Sequence, residues 1–113
     1  MPYIHTRTNT KISKEQEVKI KSRLGTAISL LNKSEDWLMV DFSDSCHMYF
    51  SGSEKENVAY IDIKIYGKGN RESYNNMTKE VTNIISEELD ILPNCIYISY
   101  SEYENWGWNG SNF

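Results

Sequence analysis

The sequence predicts an α+β fold, a two-layer α/β arrangement in which a four-stranded sheet carries two helices on one face. Two observations lead to this prediction. Apolar residues recur at helical spacing in two separate segments, and strand-like segments flank each of them. The order is strand, helix, strand, given twice, and such a βαβ crossover makes its two strands parallel with a right-handed connection. We expect one domain over residues 1–113, with repeats at about 2–44 and 59–102.

The first repeat opens with a short strand-like segment at residues 2–4. A helix should follow Ser13, because Ser13 and Gln16 have the spacing of a capping box, in which each side chain satisfies an orphan backbone amide. Residues 38–43 are the predicted closing strand. The apolar face of the helix consists of Ile20, Leu24, Ala27, Ile28 and Leu31.

The second repeat follows the first at a constant offset of 57 residues, as from Ile20 to Met77. By the same offset residues 2–4 fall on residues 59–61, and the closing strands 38–43 and 96–101 match at 58, one insertion later. The apolar face of the second helix consists of Met77, Val81, Ile84, Ile85 and Leu89.

The strand that opens the second repeat has two different faces. Ile61, Ile63 and Ile65 should lie under the helices, since alternate residues of a strand share a face. The opposite face mixes aromatic and charged side chains, which is unusual for a surface that faces only solvent, so we expect a partner subunit to cover part of it. It carries Tyr60, Asp62, Lys64 and Tyr66. Residues 50–53 and 106–110 are predicted turns or short strands around the core.

Composition limits the function classes. The net charge of −4 argues against a nucleic-acid-binding protein, which usually has a basic face. No apolar run approaches the ~20 residues that cross a bilayer, so we expect no membrane association. The first residues lack a basic start and an apolar h-region, which predicts a cytoplasmic protein without a secretory signal.

Cysteine and histidine do not form a recognisable site in the sequence. Cys46 and Cys95 have no CxxC spacing, and we interpret both as buried free thiols. His5 and His47 are isolated, and we interpret both as structural. The chain shows no metal-ligand cluster and no phosphate-binding glycine loop, so we expect neither a metal nor a cofactor.

Pro2 is the most informative single residue. Removal of an initiator methionine before a small residue would leave Pro2 as the amino terminus, with a secondary amine in place of an amide. An α-amino group has an ordinary pKa of about 7.7–8.0, and burial in an apolar site lowers it. Pro2 is therefore a candidate general base near neutral pH, whereas with Met1 retained its nitrogen has no basic lone pair. Alternatively, Pro2 only starts a strand.

Several segments spread over nearly the whole chain form a recognisable pattern by their order and spacing. They are residues 2–4, 32–33, 37, 50–53, 66–71, 96–98 and 105–113. Together these segments resemble the macrophage migration inhibitory factor family of the tautomerase superfamily. The resemblance implies a homotrimer with active sites at the subunit boundaries.

The resemblance implies a cofactor-free isomerase that interconverts keto and enol forms of a small aromatic 2-oxo acid such as phenylpyruvate. Pro2 corresponds to the catalytic base. Lys33 corresponds to the lysine that binds the substrate carboxylate or developing enolate, and its charge should also lower the pKa of the amine. Tyr97 corresponds to the pocket tyrosine that the neighbouring subunit contributes.

Two further positions depart from the family pattern. Ser99 stands where asparagine is common and offers one hydroxyl in place of an amide. Tyr66 stands where isoleucine is frequent; its backbone can still contact substrate, and its phenol could narrow the pocket. Aromatic residues form the expected pocket wall, with packing at the trimer interface an equal alternative. They are Tyr3, Trp37, Trp106, Trp108 and Phe113.

Two other functions stay open at this point. Family members also act as cytokine-like ligands, some exported without a signal peptide, so a receptor-binding trimer with vestigial catalysis is the main alternative. Hydration or dehalogenation of small unsaturated acids is a third possibility. Those branches add arginines or acids near the proline, and the sequence does not place Arg7 or Arg23 there.

Overall fold

The computed structural model describes residues 1–54 and 56–113, which form a four-stranded mixed sheet with two α-helices packed on one face. We number the elements in chain order. They are β1 (Pro2–Thr8), α1 (Lys14–Ala27), β2 (Met39–Ser43), β3 (Ala59–Tyr66), α2 (Arg71–Leu89), β4 (Ile96–Tyr103), β5 (Gly107–Trp108) and β6 (Ser111–Asn112).

The two predicted βαβ repeats are present. β1 is parallel to β2 and β3 is parallel to β4, as the crossover connections require. The repeats meet through an antiparallel β1–β3 pair, which gives the sheet order β2-β1-β3-β4. In that central pair Pro2 lies opposite Ile65, and Thr8 lies opposite Ala59.

Both helices form where the sequence predicts them. Ser13 caps α1 through the expected capping box with Gln16, and Asn70 caps α2 by accepting from the amide of Ser73. α1 ends at Ala27, and residues 28–31 continue as a 3₁₀ turn. All ten residues of the two predicted apolar faces are buried.

The core lies between the helices and one face of the sheet. Ile61, Ile63 and Ile65 of β3 are buried there, as predicted, beside Ile4 of β1. Thr6 and Thr8 of β1 are also fully buried on this face. Neither described helix combines the length and the apolar character needed to cross a membrane.

The face of the sheet away from the helices has no covering element within the described residues. It is defined by the alternate strand positions, including Tyr3, Tyr60 and Tyr97, and we call it the open face. The prediction for the thiols is confirmed for Cys95, which is buried and free, and wrong for Cys46. Cys46 is also free but partly exposed, because it follows β2 in a loop outside the core.

Candidate active site

A groove of about 890 Å³ opens beside the start of β1. Pro2 lines this groove and is buried, and Met1 lies partly exposed next to it. The groove runs between the start of β1, the turn before β2 and the β5–β6 hairpin. Its lining is Met1, Pro2, Tyr3, Asp36, Trp37, Leu38, Met39, Asp41, Trp106, Gly107 and Trp108.

Pro2 occupies the first position of a strand that is paired on both sides. Proline has no backbone N–H, so it fits where a strand begins and no ladder bond is required. The backbone amide of Tyr66 in β3 instead donates to the carbonyl of Met1, at 3.1 Å. The first two residues are therefore held in place at the edge of the groove.

Lys33 is close to this start of the chain. It follows Asn32, which adopts a left-handed conformation (φ 58°) and ends the 3₁₀ turn after α1. Nζ of Lys33 donates to the carbonyl of Tyr66 at 2.9 Å. Burial and the nearby charge of Lys33 lower the pKa of the Met1 α-amino group below its ordinary value. The predicted effect of Lys33 on a free amine of Pro2 stays a prediction.

Four aromatic rings form a connected wall from the groove to Tyr66. Trp37 meets Trp108 edge-on with ring centroids 5.0 Å apart, and Trp108 stacks on Phe113 at 6.4 Å. Phe113 in turn contacts the ring of Tyr66 at 5.5 Å. Trp106 lines the groove separately and packs edge-on against Tyr103. Aromatic rings of this kind suit a flat apolar ligand.

The β5–β6 hairpin brings the last of these rings into place. Its two-residue turn, Asn109 and Gly110, has positive φ at both positions (52° and 87°), as a type I′ turn needs. The amide of Phe113 donates to the carbonyl of Trp106 at 3.1 Å and closes the hairpin. Trp108 and Phe113 consequently face the same side.

Tyr97 and Ser99 are not brought to Pro2 within one chain. Tyr97 lies opposite Tyr60, which lies opposite Arg7, whereas Pro2 is at the other end of β1. Tyr97 is 63% exposed on the open face, and its ring meets Phe50 edge-on at 5.1 Å. The hydroxyl of Ser99 shares a short hydrogen bond of 2.5 Å with that of Tyr60.

A hydrogen-bonded group on the open face was missed by sequence reasoning. The hydroxyl of Tyr3 donates to both carboxylate oxygens of Asp41, at 2.9 and 2.8 Å. Nδ1 of His5 lies 2.5 Å from the same carboxylate, and it donates because an ionised carboxylate only accepts. Tyr3 and Asp41 also line the groove. The alternation of Tyr3 and His5 was visible in the sequence, but the register that places Asp41 beside them was not.

The environment of Asp41 favours its ionised form. Burial opposes ionisation, but the hydrogen bonds from His5 and Tyr3 outweigh it and hold the pKa of Asp41 below its ordinary value. In the same way, burial and the neighbouring Asp41 raise the pKa of Tyr3. His5 is thus part of a polar network, and His47 lies exposed in the loop after β2. Residues 1–54 and 56–113 contain no group of three or more acidic, histidine or cysteine side chains suited to a metal ion.

Comparison with known proteins agrees with this architecture. The family model for macrophage migration inhibitory factor (MIF) matches residues 1–113. A comparison with curated proteins gave no match.

Among solved structures, MIF2 of Leishmania major is 28% identical, with a TM-score of 0.94 over 100% of this chain and 97% of the other. The MIF homologue of Prochlorococcus marinus is 24% identical, with a TM-score of 0.88 over 98% of both chains. Pt0534 inactivated by 2-oxo-3-pentynoate is 12% identical, with a TM-score of 0.82 over 96% of this chain and 93% of the other. The last two likenesses show the fold.

Proposed function

Since the chain belongs to the macrophage migration inhibitory factor family, we propose that it is a cofactor-free keto–enol tautomerase with Pro2 as its general base. The observation that carries this proposal is the position of Pro2. It is buried and lines an aromatic groove, and burial together with the charge of Lys33 lowers the pKa of the adjoining α-amine. The substrate would be a small aromatic 2-oxo acid of the phenylpyruvate type.

The proposed base requires loss of Met1, which turns the Pro2 nitrogen from an amide into a secondary amine. Burial and the charge of Lys33 should lower the pKa of this amine, as they lower the pKa of the Met1 amine, and so favour its neutral form. The neutral nitrogen takes a proton from the carbon next to the substrate carbonyl. The electron pair of the C–H bond forms the carbon–carbon double bond, the π pair of the carbonyl moves to its oxygen, and the protonated Pro2 returns the proton to that oxygen to give the enol. Ketonisation runs through the same steps in reverse.

Lys33 would bind the substrate carboxylate or the developing enolate. Its ammonium group has three donors, and the Tyr66 carbonyl occupies one of them. Two donors remain for an anion in front of Pro2. The wall from Trp37 to Phe113 would hold the aromatic ring of the substrate.

A homotrimer would complete the site with Tyr97 of a neighbouring subunit. Within one chain Tyr97 and Pro2 lie at opposite ends of the sheet, so Tyr97 can reach a Pro2 groove only across a subunit boundary. Its ring is largely exposed on the open face, where a second chain can approach it. A ring of three identical contacts is a closed assembly. Light scattering of the purified protein would give the number of subunits.

Enol–keto interconversion of phenylpyruvate, followed by ultraviolet absorbance, tests the proposed reaction. Intact mass measurement first establishes whether Met1 is absent. A variant with alanine inserted between Met1 and Pro2 makes the Pro2 nitrogen an amide, and we expect its rate to fall by about 10²- to 10⁴-fold, the usual contribution of a general base. Lys11→Met, a change at an exposed lysine outside the groove, is the control and should keep full activity. Full activity in the insertion variant would refute the role of Pro2.

A covalent probe gives a second readout that does not depend on turnover. 2-Oxo-3-pentynoate is the compound that inactivates Pt0534, which shares this fold. Its alkyne, conjugated to a ketone, accepts a neutral amine, whose nitrogen forms a bond to the alkyne carbon while the amine proton moves to the neighbouring carbon. We expect one equivalent on Pro2 of the processed protein and none at this position in the insertion variant. Labelling elsewhere with Pro2 unmodified would contradict the proposal.

A further inference from the structure

A positive charge, that of Lys33, lies near Met1 beside the groove, and two carboxylates, those of Asp36 and Asp41, line the groove itself. Lys33 bonds to Tyr66, whose own amide holds Met1, so the positive charge lies at the start of β1. The carboxylate of Asp41 lies further along the groove, because Asp41 pairs with His5 in the β1–β2 register. A ligand with its carboxylate at Lys33 therefore extends past Pro2 towards a fixed negative charge.

Asp41 is within reach of a substrate that reacts at Pro2. His5 is three residues beyond Pro2 on the same strand, and a strand rises about 3.3 Å per residue, so Asp41 lies roughly 10 Å along β1 from Pro2. That separation suits a phenyl ring with one substituent opposite its side chain. Trp37 and Trp108 line the same groove and meet edge-on.

The carboxylate of Asp41 is free to accept another hydrogen bond. An ionised carboxylate has about four acceptor positions, and among the residues that the structure describes two donors, the Tyr3 hydroxyl and His5, contact it. Its side chain is 51% exposed. The hydroxyl of Ser99, which the sequence predicts as a substrate-binding residue, shares a hydrogen bond with that of Tyr60.

We propose that Asp41 determines the charge preference of the site. It favours an aryl 2-oxo acid whose ring carries a cationic substituent at the end remote from the carboxylate, and it disfavours a second carboxylate there. This inference rests on the proposed function for the orientation of the substrate, with its carboxylate towards Lys33. The arrangement amounts to recognition of a dipolar aromatic molecule by two opposite charges separated by an aromatic wall.

Binding tests the preference without any turnover. The probes are three 3-arylpropanoates, which lack the reactive ketone and carry an aminomethyl, a methyl or a carboxylate group at the para position. Their affinities follow from quenching of the tryptophan fluorescence that Trp37 and Trp108 contribute to the groove. In low salt we expect the aminomethyl compound to bind about tenfold more tightly than the carboxylate, and this ratio should shrink as salt rises.

Three variants assign the effect to a residue. Asp41→Asn keeps an oxygen that can accept from Tyr3 but removes the charge, so the ratio should fall to within about twofold. Asp36→Asn removes the second carboxylate of the groove and should leave most of the preference. Asp90→Asn is the control for net charge; Asp90 is exposed at the end of α2, in a left-handed conformation that asparagine also adopts.

The outcomes separate this inference from the proposed function. Equal affinities of the three probes for the wild-type protein would overturn the role of Asp41. The same conclusion would follow if the affinity ratio were unchanged in Asp41→Asn and lost in Asp36→Asn. If a variant does not fold, the affinity ratio of the wild-type protein and its dependence on salt still test the charge preference. Charge preference without turnover of any of the three corresponding aryl 2-oxo acids would overturn the tautomerase and leave Asp41 as a binding residue. Turnover of all three acids at one rate, with equal affinities of the three probes, would support the tautomerase and overturn the role of Asp41.

Discussion

Thr6 and Thr8 allow a matched test of what a buried hydroxyl does to the stability of this sheet. Both side chains lie on the core face of β1, and both are fully buried. The hydroxyl of Thr8 donates to the carbonyl of Val58 at 2.7 Å and accepts from the amide of Thr10 at 3.3 Å. The hydroxyl of Thr6 has no hydrogen-bond partner among residues 1–54 and 56–113.

Replacement by valine should therefore have opposite effects at the two positions. Valine has nearly the shape of threonine and an equal preference for strands, so the hydroxyl is the main difference. A buried hydroxyl without a partner costs roughly 1–3 kcal/mol, and we expect Thr6→Val to raise the free energy of unfolding by about 1 kcal/mol. Thr8→Val loses two hydrogen bonds and leaves a carbonyl unpaired, which should lower that free energy by roughly 1–3 kcal/mol.

Urea unfolding followed by tryptophan fluorescence measures both changes. Subunit concentration must be equal in all samples, because association stabilises the folded state by mass action. The denaturant slope should stay constant, so the shift in midpoint reports stability. A lower midpoint for Thr6→Val would show that its hydroxyl is satisfied in solution, and equal shifts of one sign for both variants would refute the reasoning from hydrogen-bond partners.

Three further predictions concern the amine, the thiols and the first helix. Lys33→Met should raise the pKa of the Met1 α-amine in protein that retains Met1, because a nearby positive charge is lost while burial remains; an NMR titration that shows no rise would contradict this. Cys46, partly exposed, should react with a thiol reagent in the folded protein and Cys95 only after unfolding; equal rates would show that Cys95 is accessible. Ser13→Ala removes the cap of α1 and should lower the free energy of unfolding by ~1 kcal/mol in urea, with an unchanged value arguing against the observed capping bond.

The helices and the direction of the strands within each repeat could be predicted from the sequence because they depend on neighbours along the chain. The cap at Ser13 and the spacing from Met77 to Leu89 are local patterns, and the structure confirms both. The way the two repeats join could not be predicted. The antiparallel β1–β3 pair depends on contacts between distant residues, for which the period of the apolar residues carries no signal.

The candidate site likewise contains residues that the sequence predicts and residues that it does not. The sequence predicts Pro2, Lys33 and the tryptophans as site residues; in the structure Pro2 and the tryptophans line one groove, and Lys33 lies near Met1. Asp41 was not predicted as a site residue, because its role depends on the pairing of β1 with β2 and on the contacts of Tyr3 and His5. The hydrogen bond that occupies Ser99 is likewise set by the β3–β4 register.

The internal duplication of the fold has one consequence for its catalytic capacity. The residue of the second half that matches Pro2 is Ala59, which opens β3 at the far end of the central pair, opposite Thr8. A polypeptide has a single free amine at its beginning, so the pseudo-symmetric counterpart at Ala59 is an ordinary peptide nitrogen that cannot accept a proton. The two halves are thus alike in shape, and under the proposed function they are unequal in chemistry, because the first half alone can supply an amine as the base.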